Sequence, residues 1–239
     1  MEKVKRIRTT SLVGYWPLNE ESGTVAYDLS DNGYNGTSSG LVRVPQTRGF
    51  TGPDGGRCAQ FDGSSSYVDI NAASSSSANA ELTFAIWAAI PENILSGTTK
   101  AQMVMCGADT ANRFGLYVDT TAQRISGDYY AGSGDATYST TYGKLIYNDY
   151  WLKGYPKWHH LAITVSATDD AATVYVDGTA STACSSLGTW TGAFGSTITI
   201  LGTSKKAGAD QYTGWMAHAA WWSTPLTQAE ISSLVDIGP

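Results

Sequence analysis

Residues 28–37 read DLSDNGYNGT, with oxygen side chains at Asp28, Ser30 and Asn32 and a glycine at position 33. That spacing fits the opening of a helix–loop–helix calcium motif, where alternate oxygens converge on the ion and Gly makes the sharp bend. The closing position of such a loop needs a bidentate Glu, and Ser39 stands there. The flanks, LVGYWPL and TSSG, offer Pro, β-formers and small residues where helices are required. The helix–loop–helix reading fails. The same residues also suit a tight turn in which Asp28 and Asn32 bond the loop's own amides and Gly33 supplies a positive φ.

Two further groups of residues have types that could do chemistry. His159 and His160 follow Trp158 at the start of an apolar run. One of them as general base or metal ligand is the functional reading. Alternate faces of one strand, one towards the core and one towards solvent, account for them equally simply, and no Ser or Cys stands nearby in a nucleophile-elbow context. The second group is the segment 127–158, which carries Tyr129, Tyr130, Tyr138, Tyr142, Tyr147, Tyr150, Trp151, Tyr155 and Trp158. Tyrosines on loops give flat, rigid faces with a polar tip, suited to stacking on a sugar or packing on a protein. Tyr129, Tyr130 and Tyr142 have Gly, Ser or Asp nearby, and Tyr150-Trp151 follows the turn-like Asn148-Asp149. These five are the expected contact residues, with Trp158 expected in the core.

The elements that would position these groups read as strands. LVGYWPL (12–18), RCAQFDG (57–63), SYVDI (66–70), LTFAIWAAI (82–90), AQMVMCG (101–107), RFGLYVD (113–119), HHLAITVS (159–166), ATVYVDG (172–178), STITILG (196–202) and GWMAHAAWW (214–222) are short and rich in β-branched and aromatic residues. Gly, Ser, Asn and Asp turns separate them. In ATVYVDG, Val174 and Val176 share a face opposite Thr173 and Tyr175, and Asp-Gly closes the turn. With no alternating helical segments, a parallel α/β sheet is excluded, and this many antiparallel strands require two packed sheets. The fold class is all-β, a two-sheet antiparallel jelly-roll sandwich with one short C-terminal helix. That helix is predicted in TQAEISSLVDI, where Thr227 and Glu230 form a capping box ahead of Ile231, Leu234 and Val235.

Composition narrows the function classes. The chain has 239 residues, of which only 15% are charged and 11% aromatic. The first ten residues hold four bases against one acid (+3), and the remainder 11 bases against 20 acids (−9). An acidic body does not suit nucleic acid, which needs a basic face. The basic leader lacks the apolar stretch of an export signal, and no apolar run is long enough to span a membrane. Residues 1–10 are expected to form a flexible basic arm ahead of one domain over 11–236. Such an arm suits docking on an acidic partner such as a virion protein. Cys58, Cys106 and Cys184 are widely spaced and odd in number, which points to buried small hydrophobes rather than a zinc or redox site.

Three stretches in order, LVGYWPLNEESGTVAYDLSDNGYNGT, RCAQFDGSSSYVDI with WHHLAITVSATDDAATVYVDGTA, and YTGWMAHAAWWSTPLTQAEI, resemble the laminin G-like, concanavalin A-like jelly-roll family over about residues 11–235. The resemblance implies that the Asp28 loop helps hold Ca2+, with Asp28 and Asn32 as ligands beside an acid on the last strand. Here that acid's places hold Ala217 and His218, a form similar to phage-encoded relatives, so calcium is expected to bind weakly if it binds. Catalytic relatives, the laminarinase-type glucanases, carry Glu-x-Asp-x-Glu on one strand, and no strand segment here has acids at i and i+4. Glu20-Glu21 and Asp169-Asp170 lie in turns. The resemblance therefore implies a non-catalytic glycan-binding or adhesion module at a virion surface or in an extracellular setting. A purely structural virion protein is the alternative, and a glycosidase the remote one.

Overall fold

The computed structural model describes residues 2–44, 51–71, 73, 81–91, 100–107, 113–122, 124–130, 135–139, 157–181, 183–185, 187, 199–204 and 210–236. In chain order its strands are β1 (Leu12–Trp16), β2 (Val25–Ala26), β3 (Gly36–Ser39), β4 (Val42–Val44), β5 (Cys58–Asp62), β6 (Tyr67–Asp69), β7 (Glu81–Ala89) and β8 (Lys100–Gly107). They continue as β9 (Arg113–Asp119), β10 (Arg124–Tyr130), β11 (Asp135–Ser139), β12 (Trp158–Ser166), β13 (Ala171–Val176), β14 (Thr179–Ala180), β15 (Thr199–Leu201) and β16 (Thr213–Trp222). One sheet runs β14-β13-β12-β7-β16-β5-β4 with β1 also on β16, and the other runs β11-β10-β9-β8-β15-β6-β3-β2. This is the expected jelly-roll sandwich. Strands β10 and β11 are additional to the sequence reading and lie inside or beside the tyrosine-rich segment.

Alternation makes the core. In β7, Leu82, Phe84, Ile86 and Ala88 face inward, and in β12 Leu161, Ile163 and Val165 do the same. They meet Trp16, Phe61, Phe114, Tyr129 and Trp221 between the sheets, with Phe114 and Trp221 edge-to-face at 5.8 Å. Val174 and Val176 join this core as their spacing predicts. Asp177 (φ 49) and Gly178 (φ 76) are both left-handed, the geometry a two-residue hairpin turn needs.

One edge of β16 is shared by two partners. Residues 213–216 pair with β5 and residues 219–222 with β1, and a register shift separates them against β7. His218 stands at this junction with φ 52, and its amide donates to the Pro17 carbonyl at 3.1 Å. The bulge lets one strand serve both neighbours.

The outer face of the β16 sheet is covered by both ends of the described chain. Helix α1 (Glu2–Arg6) inserts Val4, and helix α2 (Gln228–Val235) inserts Ile231 and Leu234, against Tyr15 and Trp222. The capping box at Thr227 and Glu230 forms as predicted. The expectation of a flexible arm is corrected here. Val4 is 2% exposed, the Trp222 indole donates to the Ile7 carbonyl at 2.9 Å, and Arg8 pairs with Glu230 at 2.6 Å. The physical reason is an apolar patch on Trp222 and α2 that the interspersed Val4 and Ile7 can cover. Cys58, Cys106 and Cys184 are free thiols, and burial pushes Cys58 up to about 12. They are structural.

Candidate binding site at the Asp28 loop

Asp28 is 8% exposed and fully engaged. Its Oδ1 accepts from the amides of Tyr15 and Ser30, both at 2.8 Å, and its Oδ2 from the Ser30 hydroxyl at 2.7 Å and the Tyr34 amide at 2.8 Å. A carboxylate has about four lone-pair sites, so these donors fill it. Asn32 turns its amide nitrogen on the carbonyls of Leu12 and Val13, at 2.9 and 3.0 Å. Asn35 accepts from the Asp28 amide at 2.9 Å, and Gly33 takes φ 70. The loop is thereby stapled to β1.

The last strand supplies no oxygen to this loop. Ala217 is buried, and His218, 3% exposed, faces elsewhere. Its Nδ1 lies 2.7 Å from the Tyr15 hydroxyl and its Nε2 3.3 Å from Asp54 Oδ2, an ion-pair approach without an aligned hydrogen bond. In the neutral tautomer with its proton on Nε2, the ring leaves Nδ1 free to accept from Tyr15. Burial, with the Asp54 charge, raises the Tyr15 pKa and keeps that hydroxyl a donor. The approach of His218 is the largest cause holding Asp54 down at about 2.

These residues do not fit a calcium ion. A hard cation wants six to eight oxygens, roughly the whole of a dedicated cage. Here Asp28 is saturated by N–H and O–H donors, Asn32 presents nitrogen to carbonyls, and the last strand offers Ala217 and an imidazole. Among the described residues no group of three or more His, Cys, Asp or Glu is arranged to hold a metal.

Beside the loop lies a groove of about 320 Å³. One wall is the acidic turn, with Pro17, Asn19, Glu21 and Ser22, and the other is Tyr27 with Leu29. Glu20 ties the two together. It accepts from the Tyr27 amide at 2.8 Å and pairs with Arg43 at 2.8 Å, both side chains being 7% exposed. Glu21 pairs with Arg57 at 2.9 Å and stays largely in solvent. Tyr27 is 54% exposed. A smaller crevice of about 110 Å³ separates Lys5 and Thr9 from Asp31 and Asn32 on the other side of the loop.

The family description that matches residues 62–232 is the concanavalin A-like lectin/glucanases superfamily. The chain belongs to that superfamily. A search of curated proteins finds no match. Among solved structures, the binding domain of Paraclostridial Mosquitocidal Protein 1 is 13% identical, with a TM-score of 0.71 over 95% of this chain and 52% of that one. The botulinum neurotoxin serotype D binding domain is 15% identical, with a TM-score of 0.69 over 98% of this chain and 52% of that one. The chain thus spans about half the length of these toxin binding domains. Domain 4 of AbnA, an extracellular arabinanase from Geobacillus stearothermophilus in complex with arabinotriose, is 15% identical. There the TM-score is 0.63 over 96% of this chain and 98% of that domain.

Within this superfamily fold the expected site residues separate. Tyr129 is a correction. It is 1% exposed, on the inward face of β10, because residues 125, 127 and 129 share that face and its ring joins the core. The backbone of Tyr130 is in β10, paired with Asp135, while Tyr142, Tyr150 and Trp151 lie outside the described residues. Trp158 is half-buried and its indole donates to the Thr51 carbonyl at 2.7 Å. His159 is buried with Nδ1 2.7 Å from Asp177, and burial lowers fully enclosed His160 to about 4. Both are structural. Sequence reasoning missed Tyr27, because Val-Ala-Tyr-Asp carries no apolar/polar alternation; the order exposed-buried-exposed-buried over Val25, Ala26, Tyr27 and Asp28 emerges only in the folded chain.

Proposed function

We propose that this chain is a non-catalytic glycan-binding module that works at an extracellular or virion surface. The observation that carries the reading is the end-to-end correspondence with AbnA domain 4, a unit of nearly the same extent whose structure holds arabinotriose. The chemistry of the chain agrees. Two strand acids are engaged with cations, Asp128 with Lys100 at 2.9 Å and Asp119 with Arg124 at 3.5 Å, while Asp62 and Glu81 accept from amides of neighbouring turns. Retaining hydrolysis needs two carboxyl groups flanking the scissile bond, one protonated and one free to attack, and no strand segment presents acids at i and i+4. The test exposes the purified chain to a panel of oligosaccharides and measures both retention and reducing ends. Retention without release is expected. Failure to retain any saccharide, or turnover that disappears when one acid is changed, overturns the reading.

A further inference from the structure

We infer that the groove between the acidic turn and Tyr27 takes the end of a neutral saccharide, with the Tyr27 ring as its stacking face. This assignment rests on the glycan-binding reading above. Among the described residues the exposed large hydrophobic side chains are Val25, Tyr27 and Val42. Arg43 donates to the Val25 carbonyl at 3.3 Å and pairs with Glu20, which ties Val25 to the acidic turn, while Val42, beside Arg43 on β4, points to the other face of its strand. Val25 and Tyr27, two residues apart, point out of the same side of the chain. An apolar surface of this kind collected beside a groove marks a contact site.

The rest of the groove completes a sugar's requirements. A pyranose or furanose has an apolar C–H face and a rim of hydroxyls. Tyr27 supplies a rigid aromatic partner for the face, and Leu29 and Pro17 add apolar lining. Asn19 and Ser22 line the opposite wall, and among the described residues their side chains make no hydrogen bond, leaving an amide and a hydroxyl for the rim. Glu21, whose side chain is 81% exposed, bonds Arg57 through Oε1, and Oε2 can accept from sugar hydroxyls.

Charge and rigidity fix the class of ligand. Glu20 is matched by Arg43 and Glu21 by Arg57, so among the described residues the groove offers no spare cation to a carboxylate or sulfate. The Tyr27 backbone is held by Glu20 on one side and by the saturated Asp28 on the other. Little ordering is left to be lost on binding. A volume of 320 Å³ is at the lower end of small-molecule sites, which run from about 300 to 1,000 Å³. It suits a chain end rather than a long polymer.

The experiment measures binding of neutral oligosaccharides, arabinotriose included, and of matched glycans bearing carboxylates or sulfates. It compares the full chain with Tyr27→Ala, Tyr27→Phe and Ser22→Trp. Neutral saccharides should bind the full chain, and Tyr27→Ala should weaken them about tenfold. Tyr27→Phe should stay within about twofold because the ring remains. Ser22→Trp, which fills the groove, should abolish binding, and all variants should melt with the parent. Binding by the full chain that Tyr27→Ala and Ser22→Trp leave unchanged overturns the groove while the module reading stands. A preference for the anionic glycans overturns the neutral class. Absence of binding by the full chain removes the module reading and the groove with it.

Discussion

Tyr27 and Tyr129 have similar company in the sequence, each joined directly to an aspartate, yet they have opposite fates. Tyr27 is 54% exposed over a groove, while Tyr129 is 1% exposed among Phe114, Trp221 and their neighbours. Local polarity does not separate them. What separates them is parity along the strand. Asp28 turns inward to be saturated by four donors, which sends Tyr27 out, whereas Asp128 turns outward to Lys100, which sends Tyr129 in. The partner of the aspartate decides the place of the tyrosine.

The comparison can be broken most forcefully at Tyr129. Tyr129→Ala opens a core cavity and should cost about 3–5 kcal/mol, read from denaturant unfolding. A loss under about 1 kcal/mol would show that the ring is peripheral and the contrast with Tyr27 false. Asp28→Ala should come next. It strips the acceptor from the amides of Tyr15, Ser30 and Tyr34 and should cost about 1–3 kcal/mol. Because those donors already fill the carboxylate, a chelator should leave the melting temperature of the parent unchanged. A clear drop on chelation would place a cation on the carboxylate in competition with those amides.

A smaller effect belongs to the wall behind the loop. Asp54 has its folded pKa lowered from an ordinary 3.8 to about 2, mainly by His218. A depressed carboxyl contributes stability that is present above its unfolded pKa and lost as pH falls through the folded one. The contribution should therefore disappear between about pH 4 and pH 2. Solvent reaches part of this group, which limits the effect to about 1 kcal/mol. Asp54→Asn should flatten the pH dependence of unfolding in that window, and an unaltered slope would dissociate His218 from Asp54. The smallest change is expected at Tyr27 itself. Tyr27→Ala should alter stability by less than about 0.5 kcal/mol, since the ring covers little of the core. A larger loss would make it a packing residue like Tyr129.

Much of the fold was legible because it depends on short-range patterns. Short runs rich in β-branched and aromatic residues located β7 and β12, alternation placed the faces of β13, Asp177-Gly178 announced its turn, and Thr227 with Glu230 announced α2. The bonds of Asp28 to the Ser30 and Tyr34 amides were legible for the same reason, since its residue type suits a turn, whereas Asn32, expected to do likewise, instead donates to the Leu12 and Val13 carbonyls. The rest depended on distant pairings. Glu20 finds Arg43, and His218 finds Tyr15 and Asp54, only after the sheets have formed. Nothing in the local sequence of MEKVKRIRTT shows that Trp222 awaits Ile7. In the tyrosine-rich stretch, composition concealed parity, so Tyr129 read as surface, and Tyr27, outside that stretch, passed unnoticed.

The pairing of β1 with β16 has a mechanical consequence. Leu12 opposes Trp222, so the chain enters and leaves this strand pair at the same end. Tension applied between the two ends would first peel α1 from Trp222 and α2. It would then open the β1–β16 hydrogen bonds one after another, starting at Leu12. That is an unzipping geometry, in which each bond bears the force alone, rather than a shear that shares it across the strand. A pull on any flanking segments would yield at this seam well before the inter-sheet core.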